Sequence, residues 1–249
     1  MKQTTTIILV VLSTLHQYQS AKLPTNFKKC DKGKPNFDKC LSSAIQDAIK
    51  YLNKPLAEYG LVSLDPYVTP NERTFVFGEE ITGLRQKFSK FKISGFTDIK
   101  STDARMDFAH KILYLDLVVP KLVCSFEYEA QGRMVLVPVD VVSAAAATLN
   151  STTFKMPFPL QEFKQGNDIH YKVTGSKMLF VPTSVHYDFK KIVGNEDIDK
   201  GLNALMDKNW LNIAIFWQRL FPGMFIRSFE KLFNNLLEKV PVVDLFDGL

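Results

Sequence analysis

The chain has 249 residues and a formal net charge of +5, and it is 46% apolar and 12% aromatic. Its basic residues are spread out, with Lys28-Lys29 and Lys190-Lys191 the tightest pairs, which excludes the dense basic patch of a nucleic-acid binder. Past residue 21 there is no run of about 18 uncharged apolar residues, which excludes a spanning helix and argues against stable membrane insertion.

Met1-Lys2-Gln3, the apolar run from Ile7 to Leu12 and the polar, small-residue close from His16 to Ala21 describe a secretory signal peptide over residues 1–21. Cleavage is expected after Ser20 or Ala21; the alternative is a buried N-terminal strand. Residues 22–249 then form one soluble domain of ordinary size.

Cys30 and Cys40 bracket a loop containing Gly33 and Pro35. In a secreted chain a disulfide between them would contribute about 3 kcal/mol by loop closure. Metal binding is the competing use and lacks partners, because His110, His170 and His186 are isolated and far along the chain. Cys124 is left over in the alternating run Leu122–Phe126 and reads as a buried free thiol rather than a reactive one.

From Phe37 to Ile49 the spacing predicts a helix, with Leu41, Ile45, Ala48, Ile49 and Leu52 on one apolar face, closed by Pro55 and Gly60. Pro66 and Pro70 make Leu64–Pro70 read as extended. From about Phe88 to Phe189 the period changes to two. Phe91 and Ile93 alternate with lysines, Met106 and Phe108 with Arg105 and Asp107; Leu113, Leu115, Leu117 and Val119 share one side of a strand, and Leu122, Cys124, Phe126 and Tyr128 one side of the next. This is an antiparallel sheet with a buried and a wet face. Gly95, Gly132, Gly166 and Gly175 mark turns or bends, and Pro120 and Pro138 require strand ends, edges or bulges. Consecutive strands without intervening helices give an α+β rather than a parallel α/β class.

Helical spacing returns at Asn195-Glu196-Asp197, with acids suited to a helix N-terminus, and again near Asn209-Trp210. Leu211, Ile215, Phe225, Phe229, Leu232, Phe233, Leu236 and Val240 fit one apolar stripe, which Pro222-Gly223 kinks or divides and Pro241 ends. A long Phe-rich helix is thus available to a sheet with one apolar face.

Catalysis leaves little trace. There is no Gly-x-Ser-x-Gly elbow, His-Glu-x-x-His or phosphate-binding glycine loop. Asp65, Asp103, Asp107 and Asp116 are single carboxylates that read as turn caps or solvated acids, and His186 as an ordinary strand histidine. No catalytic residue, metal or cofactor is assigned. A secreted hydrolase would need a nucleophile–base pair from the serines, Cys124 and the three histidines. Asn150-Ser151-Thr152 is a glycosylation sequon whose polar setting suggests a surface turn.

The chain resembles the takeout and juvenile hormone binding protein family of insects over nearly all its length after the leader. The resemblance is carried by Leu23-Pro24 followed by Cys30 and Cys40-Leu41, by Leu64-Asp65-Pro66, and by Phe126-Glu127-Tyr128-Glu129-Ala130-Gln131-Gly132-Arg133. It closes on Gly201-Leu202-Asn203, Asn209-Trp210 and a Phe-rich helix ending near Pro241. It implies a long, strongly curved antiparallel sheet wrapped around a long C-terminal helix, of the tubular lipid-binding type. An apolar tunnel between them would hold a juvenile hormone, other terpenoid or fatty acid. Many relatives carry Gly-x-Gly after the Pro138 strand where this chain has Asp140–Ala147, so the sheet edge is expected to differ there. Cys124 lies outside the shared pair. Takeout-like relatives are associated with daily and feeding-related regulation.

A ligand site of this kind needs an apolar lining with a few polar atoms. The candidates are Met106, Phe108, Leu115, Leu117, Phe126 and Tyr128 from the sheet and Phe216, Phe229 and Phe233 from the helices, with the Tyr128 hydroxyl as polar handle. The expected protein is a monomeric secreted carrier of a small hydrophobic molecule, with no receptor assigned. The alternative is an extracellular protein-interaction factor whose 20 phenylalanines close the core.

Overall fold

The computed structural model describes residues 20–69, 73–75, 83–134, 137–220 and 222–248. Residues 1–19 of the expected leader lie outside them, as do Pro70 and the side chain of Phe225. The chain begins with a short strand β1 (Cys30–Asp31), helix α1 (Phe37–Tyr51) and strands β2 (Tyr67–Val68) and β3 (Arg73–Phe75). Then come β4 (Leu84–Ser94), β5 (Ser101–Asp107), β6 (Ile112–Met134), β7 (Val137–Gln165), β8 (Asp168–Val173), β9 (Leu179–Val181) and β10 (Ser184–Phe189). Helices α2 (Glu196–Lys208), α3 (Trp210–Leu220), α4 (Pro222–Leu237) and α5 (Val242–Leu245) follow. The last strand, β11 (Phe246–Asp247), returns to pair in parallel with β1.

The spine is the hairpin of β6 and β7, paired antiparallel from Ile112↔Pro159 to Met134↔Val137. On its outer edges β6 carries β5 and then β4, while β7 carries β10, β9 and β8 in turn. The sequence divides this region into two strands at Pro120, but β6 runs through it unbroken. Pro120 and Ser151 face each other at an unpaired rung, and Ser151 takes φ +41°. There the inward residues of β6 change from Leu115, Leu117 and Val119 to Leu122, Phe126 and Tyr128, and those of β7 change in step. A rung without ladder bonds is where a residue lacking an N–H fits. A bulge at Lys90 (φ +54°) does the same for β4, whose register shifts between Ser89 and Lys92 and whose inward set changes from Leu84 and Phe88 to Phe91 and Ile93. Such irregularities add local twist, and the sheet curls into an antiparallel half-barrel with the C-terminal helices on its concave side.

Contrary to the expectation of an altered sheet edge at Asp140–Ala147, this run is not at an edge. It lies inside β7 between β6 and β10, with Ala147 facing both Cys124 and Tyr187. Nor is Asn150 on a surface turn: it is half-buried in the same strand, its side-chain amide donating to Ser184 Oγ at 3.0 Å.

Among the described residues the tail is four helices: α2 and α3 start where the spacing places helix starts, and the Phe-rich stretch is divided at Pro222 into α3 and α4. Asn195 caps α2, its side chain accepting from the Ile198 N–H. Leu211 and Ile215, placed by spacing on the inward stripe, are instead 54% and 42% exposed, and Trp210, Ile213 and Ala214 face the sheet. A single stripe requires one continuous helix, and a helix that restarts at Pro222 resets the phase. Pro241 caps the start of α5 rather than ending α4.

The interior divides into two cores. One gathers α1, β5, β8 and α4 around the far half of the hairpin; the other gathers β4, β10, α2 and α3 around the half nearest its turn. The Cys30–Cys40 disulfide, with Cα atoms 5.9 Å apart, ties β1 to α1 at the first core. Matching clips hold the helices to edge strands. Asn203 of α2 accepts from the Phe189 N–H and donates to its carbonyl (2.9 and 2.9 Å), and Asn234 of α4 does the same at Val173 (2.7 and 3.2 Å). Each side-chain amide stands in for the strand that would otherwise continue the ladder.

Candidate ligand-binding site

Two apolar cavities lie between the helices and the concave face. The smaller, of about 100 Å³, sits in the α2–α3 half and is lined mainly by rings, with Phe91, Phe96, Phe126, Phe154, Phe180 and Tyr187 around Leu122, Cys124, Ala147 and Ala214. The larger, of about 170 Å³, sits in the α1–α4 half and is lined mainly by leucine and isoleucine residues, many from α1, β6 and α4, with Met106 from β5. Both exceed the space of a single water and are of the order of engineered apolar cavities that stay dry and admit small hydrocarbons.

A wall of phenylalanines separates them. Phe96 packs on Phe154 at 5.6 Å and edge-on against Phe229 at 5.4 Å; Phe96 and Phe154 line the ring-rich chamber and Phe229 the aliphatic one. A gap of only about 10 Å³ remains beside this wall. Phe96 is held by the Leu64-Asp65-Pro66 stretch: Asp65 Oδ2 accepts from the Gly95 N–H and the Thr97 hydroxyl, both at 3.0 Å. Gly95 takes φ +99°, and a Cβ there would fall 2.2 Å from the Lys121 carbonyl oxygen, so only glycine makes this turn. Asp65 thus caps a turn, as does Asp107, which accepts from the His110 N–H; backbone and side-chain hydrogen bonds from His110 hold its carboxyl below the usual range.

The sequence-derived candidates separate on this geometry. Met106, Leu115, Leu117, Phe229 and Phe233 line the aliphatic chamber, and Phe126 the ring-rich one. Tyr128, 1% exposed, lies behind Phe126 against Phe88 and Phe189 (5.3 and 5.1 Å), and its hydroxyl accepts from Gln86 Nε2 at 3.2 Å instead of reaching a cavity. Phe108 packs on Phe37 and Phe246, with the Lys32 ammonium 4.4 Å from its ring centre, outside both linings. Phe216 stands 48% exposed on the outer side of α3.

Sequence reasoning missed much of the lining. Leu41, Ile45 and Ile49 of α1 were on a recognised apolar face, yet nothing local says that this face closes a cavity. Ala147 was read as a departure and is a source of space, since a larger side chain there would reach toward Cys124 and Tyr187.

Few polar groups enter either chamber. Cys124 is a free thiol on the ring-rich wall, pushed up to about 12 by burial, so it stays protonated; its accessible surface faces the cavity. Burial, and then the Asp207 charge, raise the Tyr187 hydroxyl, and burial followed by Glu162 raises Tyr171 in the aliphatic chamber. Both remain neutral hydrogen-bond donors. The histidines are engaged elsewhere: His186 Nδ1 with Asp207 at 2.5 Å, His110 with Asp107 at 2.9 Å and His170 with the Leu237 carbonyl at 3.2 Å.

The family model of haemolymph juvenile hormone binding protein matches residues 7–247. The crystal structure of Epiphyas postvittana Takeout 1 aligns with a TM-score of 0.74 at 16% identity, covering 88% of this chain and 98% of that one. A crystal structure of lipopolysaccharide binding protein aligns more loosely, with a TM-score of 0.36 at 12% identity over 84% of this chain and 39% of that one. No protein of curated function matches.

Proposed function

Because the chain belongs to the haemolymph juvenile hormone binding protein family, we propose that it is a secreted carrier of a small hydrophobic molecule (a juvenile hormone, another terpenoid or a fatty-acid-like ligand) held between helices and sheet. The observation that carries this reading is the pair of apolar cavities between the concave face and the helices, with hardly a polar group among the described residues of their walls. Burying about 300 Å² of apolar ligand surface there would release about 7 kcal/mol before association costs, enough for useful affinity without a directed polar contact. The disulfide suits an oxidising compartment, and among the described residues no helix is long and apolar enough to cross a membrane. The fold then acts by solubilising its cargo rather than by chemistry.

The test is native mass spectrometry of the secreted protein, followed by solvent extraction of any molecule it releases. A stoichiometric apolar ligand is expected, with its identity naming the class. An empty protein that also ignores added juvenile hormone and fatty acids would favour a second reading, an extracellular protein-interaction factor. That reading draws on the Phe96–Phe154–Phe229 wall, which fills the middle of the tube, and on the exposed Leu211, Ile215 and Phe216 of α3.

A further inference from the structure

Among the described residues, Lys28 is the one charged residue in the lining of the aliphatic chamber. It lies on the segment joining Leu23 and Phe27, which also line the chamber, to the disulfide at Cys30. Its neighbour Lys29 is committed elsewhere, to Asp247 at 2.9 Å and the Val243 carbonyl at 2.7 Å. Among the described residues, Lys28 forms no ion pair or hydrogen bond and no carboxylate lines the chamber. Lys28 is exposed. An exposed lysine in a cavity wall can lay its alkyl stem along the apolar surface and keep its ammonium in water. The chamber is thus a hydrocarbon-lined space with an exposed lysine among its lining residues.

We propose that the aliphatic chamber selects an aliphatic monocarboxylate, its chain among the α1 and α4 side chains and its carboxylate paired with Lys28. This deepens the carrier reading and rests on it. A neutral ester or alcohol of the same chain would fill the chamber equally well but gain nothing from the cation. The anion gains an ion pair in a setting wet enough that neither partner is fully desolvated, so the preference is modest and salt-sensitive.

The experiment is displacement of the neutral fluorophore N-phenyl-1-naphthylamine from the full mature chain by dodecanoate and by 1-dodecanol, at neutral pH. Lys28→Met should weaken dodecanoate about fivefold, the upper range for a solvent-facing ion pair, and leave 1-dodecanol within about twofold. Lys28→Arg should retain the preference, Lys28→Glu should invert it, and about 0.5 M salt should erase it in the wild type. If dodecanoate and 1-dodecanol weaken together, or if neither responds to Lys28→Glu, the charge pairing is wrong while the carrier reading stands. Failure of both lipids to displace the fluorophore would overturn this proposal and leave the carrier reading to a juvenile hormone or another terpenoid.

Discussion

The two halves of the tube solve the same problem with different materials. In the α1–α4 half the wall is largely flexible aliphatic side chains, shared between helices α1 and α4 and the strands they cover, stapled by the disulfide and closed by β1 pairing with β11. In the α2–α3 half the wall is planar rings carried mostly by strands, with alanines at Ala147 and Ala214 making the room. Rings on a curled sheet have few rotamers and hold a defined slot; leucines on a helix can repack around varied shapes. On the carrier reading proposed above, the aliphatic chamber would suit a long flexible cargo, and the ring-rich chamber a compact or unsaturated group.

The largest expected effects test how differently the two halves are packed. Phe158 is completely buried in the aliphatic half, with its ring 4.7 Å from Phe233. Phe158→Ala should cost about 3–5 kcal/mol in urea denaturation, as for other buried phenylalanine truncations. Phe126 stacks on Phe88, Phe91 and Phe189 but turns one side to the ring-rich cavity. Phe126→Ala should cost less, because that side has no packing partner to lose. Equal costs would mean that the ring-rich chamber is closed in solution and the contrast unfounded.

The wall between the chambers is next. Phe96→Ala should destabilise by about 3 kcal/mol and join the two spaces. Among a series of n-alkanols, the chain length at which affinity stops rising should then increase. An unchanged cut-off would show that Phe96 is not the barrier. The helix clips follow. Asn203→Ala and Asn234→Ala each leave one strand N–H and one carbonyl unpaired and should each cost about 1–3 kcal/mol. Hydrogen exchange should locate the loss separately, at Phe189 for the first and Val173 for the second. Protection lost at both sites in either variant would show that the halves unfold as one unit.

What the sequence revealed follows the range of its interactions. The α1 face, the alternation across β6 and the Asn195 cap are local, and each stands where the spacing puts it. The phase change at Pro120 and Ser151 was hidden because it needs both strands of the hairpin: from β6 alone, a switch of inward residues reads as a strand break. Site residues fared according to their surroundings. Leu115 and Leu117 face the concave side wherever the helices lie, whereas Tyr128 required knowing that Gln86 would take its hydroxyl and Phe216 required the phase of α3. Lys28 sits in a basic pair that looks like ordinary surface, and only the path of the N-terminal segment brings it to a chamber.

The smallest expected effect distinguishes the chambers by a single thiol. Cys124 is the one cysteine in the lining of the ring-rich cavity, and burial moves its folded-state titration from 9.0 to about 12. The unfolded chain releases this proton near the ordinary value. The stabilisation from keeping it is fully present below pH 9 and is lost as pH rises from 9 towards 12. Tyr187, raised by burial in the same wall, acts in the same direction. Midpoints of thermal unfolding should fall through this window, and Cys124→Ala should flatten part of the slope without altering it below pH 9. A ligand in the ring-rich chamber should slow alkylation of Cys124 at alkaline pH, whereas one confined to the aliphatic side of the Phe96 wall should leave the rate alone. Dodecanoate should behave as the second kind: the Lys28 pairing places its chain in the aliphatic chamber, so protection of Cys124 by dodecanoate would show that its chain crosses the wall.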